Sequence, residues 1–209
     1  MSKRPELTVA WIPWLHDIAL DNSAVPVIDW LHENTSSWNE RSIVVCLVND
    51  ARQDPNVRAY SSNGNIVTHR NRRSTVRRGP VLAYGPGDEE LEIAASRAAG
   101  HVLGLVSFHR PTLDGFAAAT RAFNVLTGQH HPGVSAEKDA LFDKLNRAGY
   151  KGFSKRDAYA MRQATPIIDE LLGEGFDADF IVTYSLACGM PFRHAKELRA
   201  LLPIEESEG

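Results

Sequence analysis

The chain has 209 residues, 43% hydrophobic and 23% charged, with a formal net charge of −3, a balance that excludes disordered and fibrous classes. No apolar run approaches the roughly 20 residues that span a bilayer, and the start MSKRPELTVAWIPWL is polar and proline-broken, without a signal-peptide core. The expectation is a cytoplasmic protein with no membrane partner, whose Cys46 and Cys188 stay reduced in apolar stretches.

Residues 8–13, TVAWIP, read as a first strand. Residues 22–34 follow as a helix with Ser23 as N-cap, Pro26 in the first turn, and Ala24, Val27, Ile28 and Leu31 on a helical period. SIVVCLVND, residues 42–50, is a continuous β-branched run of the kind that forms a parallel strand buried on both faces. Residues 57–70 carry Asn63-Gly64, a turn dipeptide that predicts a hairpin. Its second strand runs into RNRRSTVRRGP, and GPVLAYGPG (79–87) emerges as another strand. Asp88 then caps a helix with an acidic first turn that closes at Gly100, and HVLGLVSFHR (101–110) is the next buried strand.

From Thr112 the pattern is helical: 112–127 stopped by Gly128, 135–148 capped by Ser135, 154–172 with Ser154 and Asp157 as a capping box, 178–188 capped by Asp177, and 191–202 with Pro191 in its first turn. Pro166 is expected to kink the longest of these. The predicted fold is α/β: a small parallel-rich, mixed sheet of about five strands with flanking helices over residues 1–110, and an all-helical region, 111–209, packed on it or capping it.

Charge is unevenly spread. Lys and Arg stand two against six Asp and Glu in residues 1–40, eight against two in 41–80, and thirteen against eighteen in 81–209. The middle excess centres on Arg70, Arg72, Arg73, Arg77 and Arg78. If the strands on either side pair antiparallel, these arginines form a hairpin tip at the amino-terminal edge of strand 80–85. Small-molecule crevices in open α/β sheets lie at the opposite, carboxyl edge.

That carboxyl edge gathers Asn49, Asp50, Tyr84, Gly85, Gly87, Ser107, His109 and Arg110. Asp50 as metal ligand or base and His109 as acid or base are the catalytic candidates there. GPGDEE lacks the G-x-G-x-x-G spacing, no G-x-x-x-x-G-K-[ST] occurs, and the adjacent pair His130-His131 has no Cys or His at ligand spacing in the helix that follows. No cofactor and no metal are assigned. Residues 177–202 resemble a helix-turn-helix in outline, with Arg193, Lys196 and Arg199 on the second helix, although a packed αα-hairpin explains the same pattern. Trp11, Trp14, Trp30 and Trp38 read as core and rim packing.

The leading functional expectation is a non-enzymatic protein that contacts an anionic partner, nucleic acid first, through residues 70–78, with Arg193, Lys196 and Arg199 adding to it if they share a face. A small metal-dependent hydrolase or nuclease at the carboxyl edge is the alternative. Self-association of the basic loop with an acidic surface, giving a homo-oligomer, is a third.

Overall fold

A computed structural model describes residues 6–13, 24–48, 50–61, 65–71, 78–107, 113–154 and 156–203. The strands are β1 (Thr8–Ile12), β2 (Ser42–Val45), β3 (Asn65–Val67), β4 (Val81–Tyr84), β5 (Val102–Val106), β6 (Phe123–Asn124) and β7 (Gln129–His130). They form one sheet in the order β3-β2-β4-β5-β1-β6-β7, parallel throughout except for the antiparallel β6–β7 pair. The α/β class and the mixed, mostly parallel sheet match the sequence, but the strand count is seven rather than about five. The expected helix 112–127 conceals the difference. Helix α5 (Asp114–Thr120) stops where Arg121 takes the left-handed conformation, φ 50°, and the chain turns back to lay β6 alongside β1.

Both faces of the central strands are covered, so these strands are apolar on both sides. Ile43, Val45, Leu82, Tyr84, Val102 and Val106 point to one core, with Val27 and Leu31 of α1 (Val25–Glu33) and Val57 and Tyr60 of α3 (Pro55–Ser61). Val44, Val81, Ala83, Leu103 and Leu105 point to the other, against Leu91 and Ala94 of α4 (Asp88–Arg97) and the C-terminal helices. Helix α1 lies so close to β5 that a Cβ on Gly104 would meet Val27 Cγ1 at 2.3 Å.

The C-terminal helices are α6 (Ala136–Ala148), α7 (Ala158–Gly173), α8 (Ala178–Ala187) and α9 (Phe192–Arg199). Ser135 and Asp177 cap α6 and α8 as expected, whereas Asp157, not Ser154, caps α7, accepting from Tyr159 N and Ala160 N. Pro166 sits inside an uninterrupted α7. Every residue from Ile181 to Ala187 is buried, which makes α8 the centre of this layer. Phe142 of α6 stacks on Tyr184 with ring centroids 3.9 Å apart, and Phe176 stacks on Phe180 at 4.8 Å. No helix among the described residues is long and apolar enough to cross a membrane.

Candidate functional site

The strands on either side of the arginine segment do not pair with each other as the expected hairpin requires. Residues 55–61 are helix α3, preceded by the short helix α2 (Asp50–Gln53). Asp54 Oδ1 accepts from Asn56 N at 2.7 Å and Val57 N at 3.1 Å, and Pro55 opens the helix. An N-cap aspartate followed by proline is a helix start, and it outweighs the turn signal of Asn63-Gly64, which itself lies outside the described residues. Because α3 returns the chain across the sheet, β3 runs parallel to β2, as does β4, with β2 between them. The antiparallel pairing is therefore overturned. Arg70 follows the carboxyl end of β3 and Arg78 precedes the amino end of β4, so Arg70 lies at the carboxyl rim and Arg78 at the amino rim. Both are exposed; Arg72, Arg73 and Arg77 lie outside the described residues.

The sheet has a topological switch point between β2 and β4. The chain leaves β2 through α2 and α3 toward β3 on one side, and leaves β4 through α4 toward β5 on the other. Diverging connections of this kind open a crevice at the carboxyl ends of the two strands. Near these strand ends several side chains are paired. Tyr84 OH donates to Asp54 Oδ2 at 2.9 Å, with both residues 4% exposed. Cys46 Sγ lies 3.4 Å from Gly85 O. His69 Nδ1 lies 3.1 Å from Glu90 Oε1, and the imidazole is 37% exposed while the carboxylate is 7% exposed. Asn71 holds the turn after β3, accepting from Thr68 N at 2.6 Å and donating to Ile66 O at 2.9 Å.

Tyr84 and Asp54 are thus engaged with each other and buried. The partly exposed pair near the carboxyl rim is His69 and Glu90, neither of them a candidate from the sequence. Twenty-one residues separate them, and only the parallel placement of β3 brings them together. With the proton on Nδ1, His69 donates to Glu90 and presents Nε2 as an acceptor, the arrangement of an oriented acid–base imidazole. The same bond ties the start of the arginine segment to α4. Of the two catalytic candidates, Asp50 is the first residue of α2, and His109 lies outside the described residues, as do Asn49 and Arg110. Ser107, half-buried, follows β5.

The basic residues of α9 separate into two kinds. Arg199 donates from Nε and Nη2 to the two oxygens of Asp88, at 2.8 and 3.0 Å, and from Nη1 to Asp179. Burial works against its charge, but these hydrogen bonds outweigh it and hold the guanidinium above its ordinary pKa. It is a clasp between α9, α4 and α8. Arg193 is 79% exposed, 3.9 Å from Glu197, and Lys196 is exposed.

Trp11 is buried, and Trp30 stacks on Phe123 at 6.3 Å. Arg41 lies over the rings of Trp38 and Tyr60, at 5.0 and 5.7 Å; Trp14 lies outside the described residues. Cys46 and Cys188 are half-buried. Among the described residues no group of three or more His, Cys, Asp or Glu is placed to hold a metal ion. No protein-family model matches the chain, and neither the curated proteins nor the solved structures yield a match.

Proposed function

We propose that the protein binds a polyanion, nucleic acid first, through the arginine segment 70–78. One contrast carries the reading. Arg70 and Arg78 are exposed and have no carboxylate partner among the described residues, while Arg199 in the same fold is neutralised by two aspartates. The surrounding residues 41–80 offer little opposing charge: their two acids are Asp50 and Asp54, and Asp54 is buried against Tyr84. Exposed, uncompensated guanidiniums release counterions when they meet phosphates, and that release supplies sequence-independent affinity.

The test is fluorescence anisotropy with a labelled duplex and a labelled single strand across a salt series. Five phosphate contacts on duplex give a slope of log K against log salt of about −4.5. Replacing Arg70, Arg72, Arg73, Arg77 and Arg78 with Gln should remove that duplex binding while the thermal melt is retained. Unchanged duplex affinity in this variant refutes the reading.

The His69–Glu90 pair favours a second reading, a small hydrolase or nuclease working at the carboxyl rim with His69 as acid or base and Arg70 as an anion contact. Cleavage of a labelled oligonucleotide that is lost in His69→Gln, with binding intact, would favour it. Binding without cleavage would leave the first reading in place.

A further inference from the structure

We infer that the joined ends of α6 and α7 form a second contact surface, for single-stranded nucleic acid, separate from the arginine segment. Residues 144–162 contain six Lys and Arg against one acid, Asp157. That cluster is concealed by the acidic balance of the C-terminal half as a whole. Residues 149–157 connect the two helices, so the C-terminal turns of α6 and the N-terminal turns of α7 lie at the same end of the pair.

The cations are displayed, not buried. Lys144 and Arg147 are three apart on α6, and Tyr159 and Arg162 are three apart on α7, so each pair shares a helix face. Lys151 and Arg156 lie in the connection, and all of these residues are exposed. Arg147 and Arg162 each give Nε to a carbonyl of their own helix, Asp143 O at 3.2 Å and Ala158 O at 3.3 Å, so that nitrogen is not spent on a carboxylate. Asp157 spends its Oδ1 on the N-cap, at 3.1 Å from Tyr159 N and 3.0 Å from Ala160 N.

Among the described residues Lys144, Lys151, Arg156 and Arg162 have no carboxylate partner, whereas Lys138, at the other end of α6, pairs with Glu174 beyond the far end of α7. Cations around the start of α7 also oppose its dipole, so helix stability does not account for them. Helix α9 adds to the same end. Phe153 N donates to Glu197 Oε2 at 2.7 Å, and this contact brings the exposed Arg193 and Lys196 beside the connection.

Two aromatic rings set the partner. Tyr150 is 75% exposed and Tyr159 is 69% exposed, the most exposed large hydrophobic side chains among the described residues. Free ring faces among fixed cations suit a strand that offers phosphates and unpaired bases together. A duplex hides its base faces, and an acidic protein or a lipid headgroup has none, so single-stranded nucleic acid is the partner that uses both features.

The test measures anisotropy of a labelled oligothymidylate with the full chain in which the arginines of segment 70–78 are Gln, so that this surface is read alone. Affinity should persist in that background and fall about tenfold for Tyr150→Ala and again for Tyr159→Ala, while Tyr→Phe at either position keeps it. Replacing Lys144, Arg147, Arg156 and Arg162 with Gln should flatten the salt slope by about 3. If the background variant does not melt cooperatively, the same Ala-against-Phe contrast is read in the unmodified chain. Equal affinity for Tyr→Ala and Tyr→Phe overturns the inference, as does tighter binding to duplex or to anionic phosphatidylserine vesicles. Loss of all oligothymidylate binding in a folded background variant also overturns it, while leaving the arginine-segment reading standing.

Discussion

Removing one oxygen, in Tyr84→Phe, tests whether Asp54 is closed off from water beside the carboxyl end of β4. The hydroxyl donates to Asp54 Oδ2 at 2.9 Å, and both residues are 4% exposed, so no bulk water stands ready to replace it. A hydrogen bond to a charged group contributes about 1.5–3 kcal/mol, and the abandoned acceptor keeps its desolvation cost. Asp54 retains its other oxygen on Asn56 N and Val57 N, so α3 stays capped, and loss of the bond to Asp54 costs about 2 kcal/mol. For a chain of this size that is a fall of roughly 4–8 °C in Tm. Urea denaturation at constant m-value gives the difference directly. A change below about 0.5 kcal/mol would refute the reasoning, because it would mean that water reaches the carboxylate.

Three further substitutions test the helical layer and the segment that follows β7. In Gly115→Ala the new Cβ would lie 2.1 Å from Phe180 O and 2.6 Å from Thr183 Oγ1; overpacking of about 1–3 kcal/mol should exceed the gain of about 1 kcal/mol in helix propensity. Gly173→Ala, with nothing within 4 Å of its added carbon, should not destabilise, and equal thermal melts for the two would contradict the close α5–α8 contact. At His131 burial holds the pKa below its ordinary 6.5, and Nδ1 accepts from Gly133 N at 3.0 Å. A base whose pKa is depressed by folding contributes stability above its unfolded value and loses it as pH falls through the folded one. Thermal melts should therefore drop as pH falls below 6.5, and His131→Asn should flatten that decline; an unaltered profile would show that another group titrates.

Strands β1, β4 and β5 and the caps of α6 and α8 were legible because each is a local signal: an apolar run bounded by turn residues, or an Asp or Ser before a helical period. The arginine segment was misplaced because two local signals competed. Asn63-Gly64 advertises a hairpin, but Asp54-Pro55 had already committed the chain to a helix, and a helix between strands returns the chain for parallel pairing. The His69–Glu90 contact was invisible for the same reason, since it exists only once β3 lies parallel to β2. Strands β6 and β7, two residues each, carry no periodicity to detect. The cations of residues 144–162 were in plain view but were averaged against the acids of Asp169 to Asp179, and only the connection of α6 to α7 shows that they collect at one end.

Photo-crosslinking to a 5-bromouracil-substituted single strand, followed by peptide mapping, tests the central claim most directly, because it reports which surface touches nucleic acid. The account predicts adducts in peptides covering residues 70–78 and 144–162, suppressed by rising salt. Adducts confined to other peptides, or none at strand concentrations where a reference single-strand binder is labelled, would contradict it.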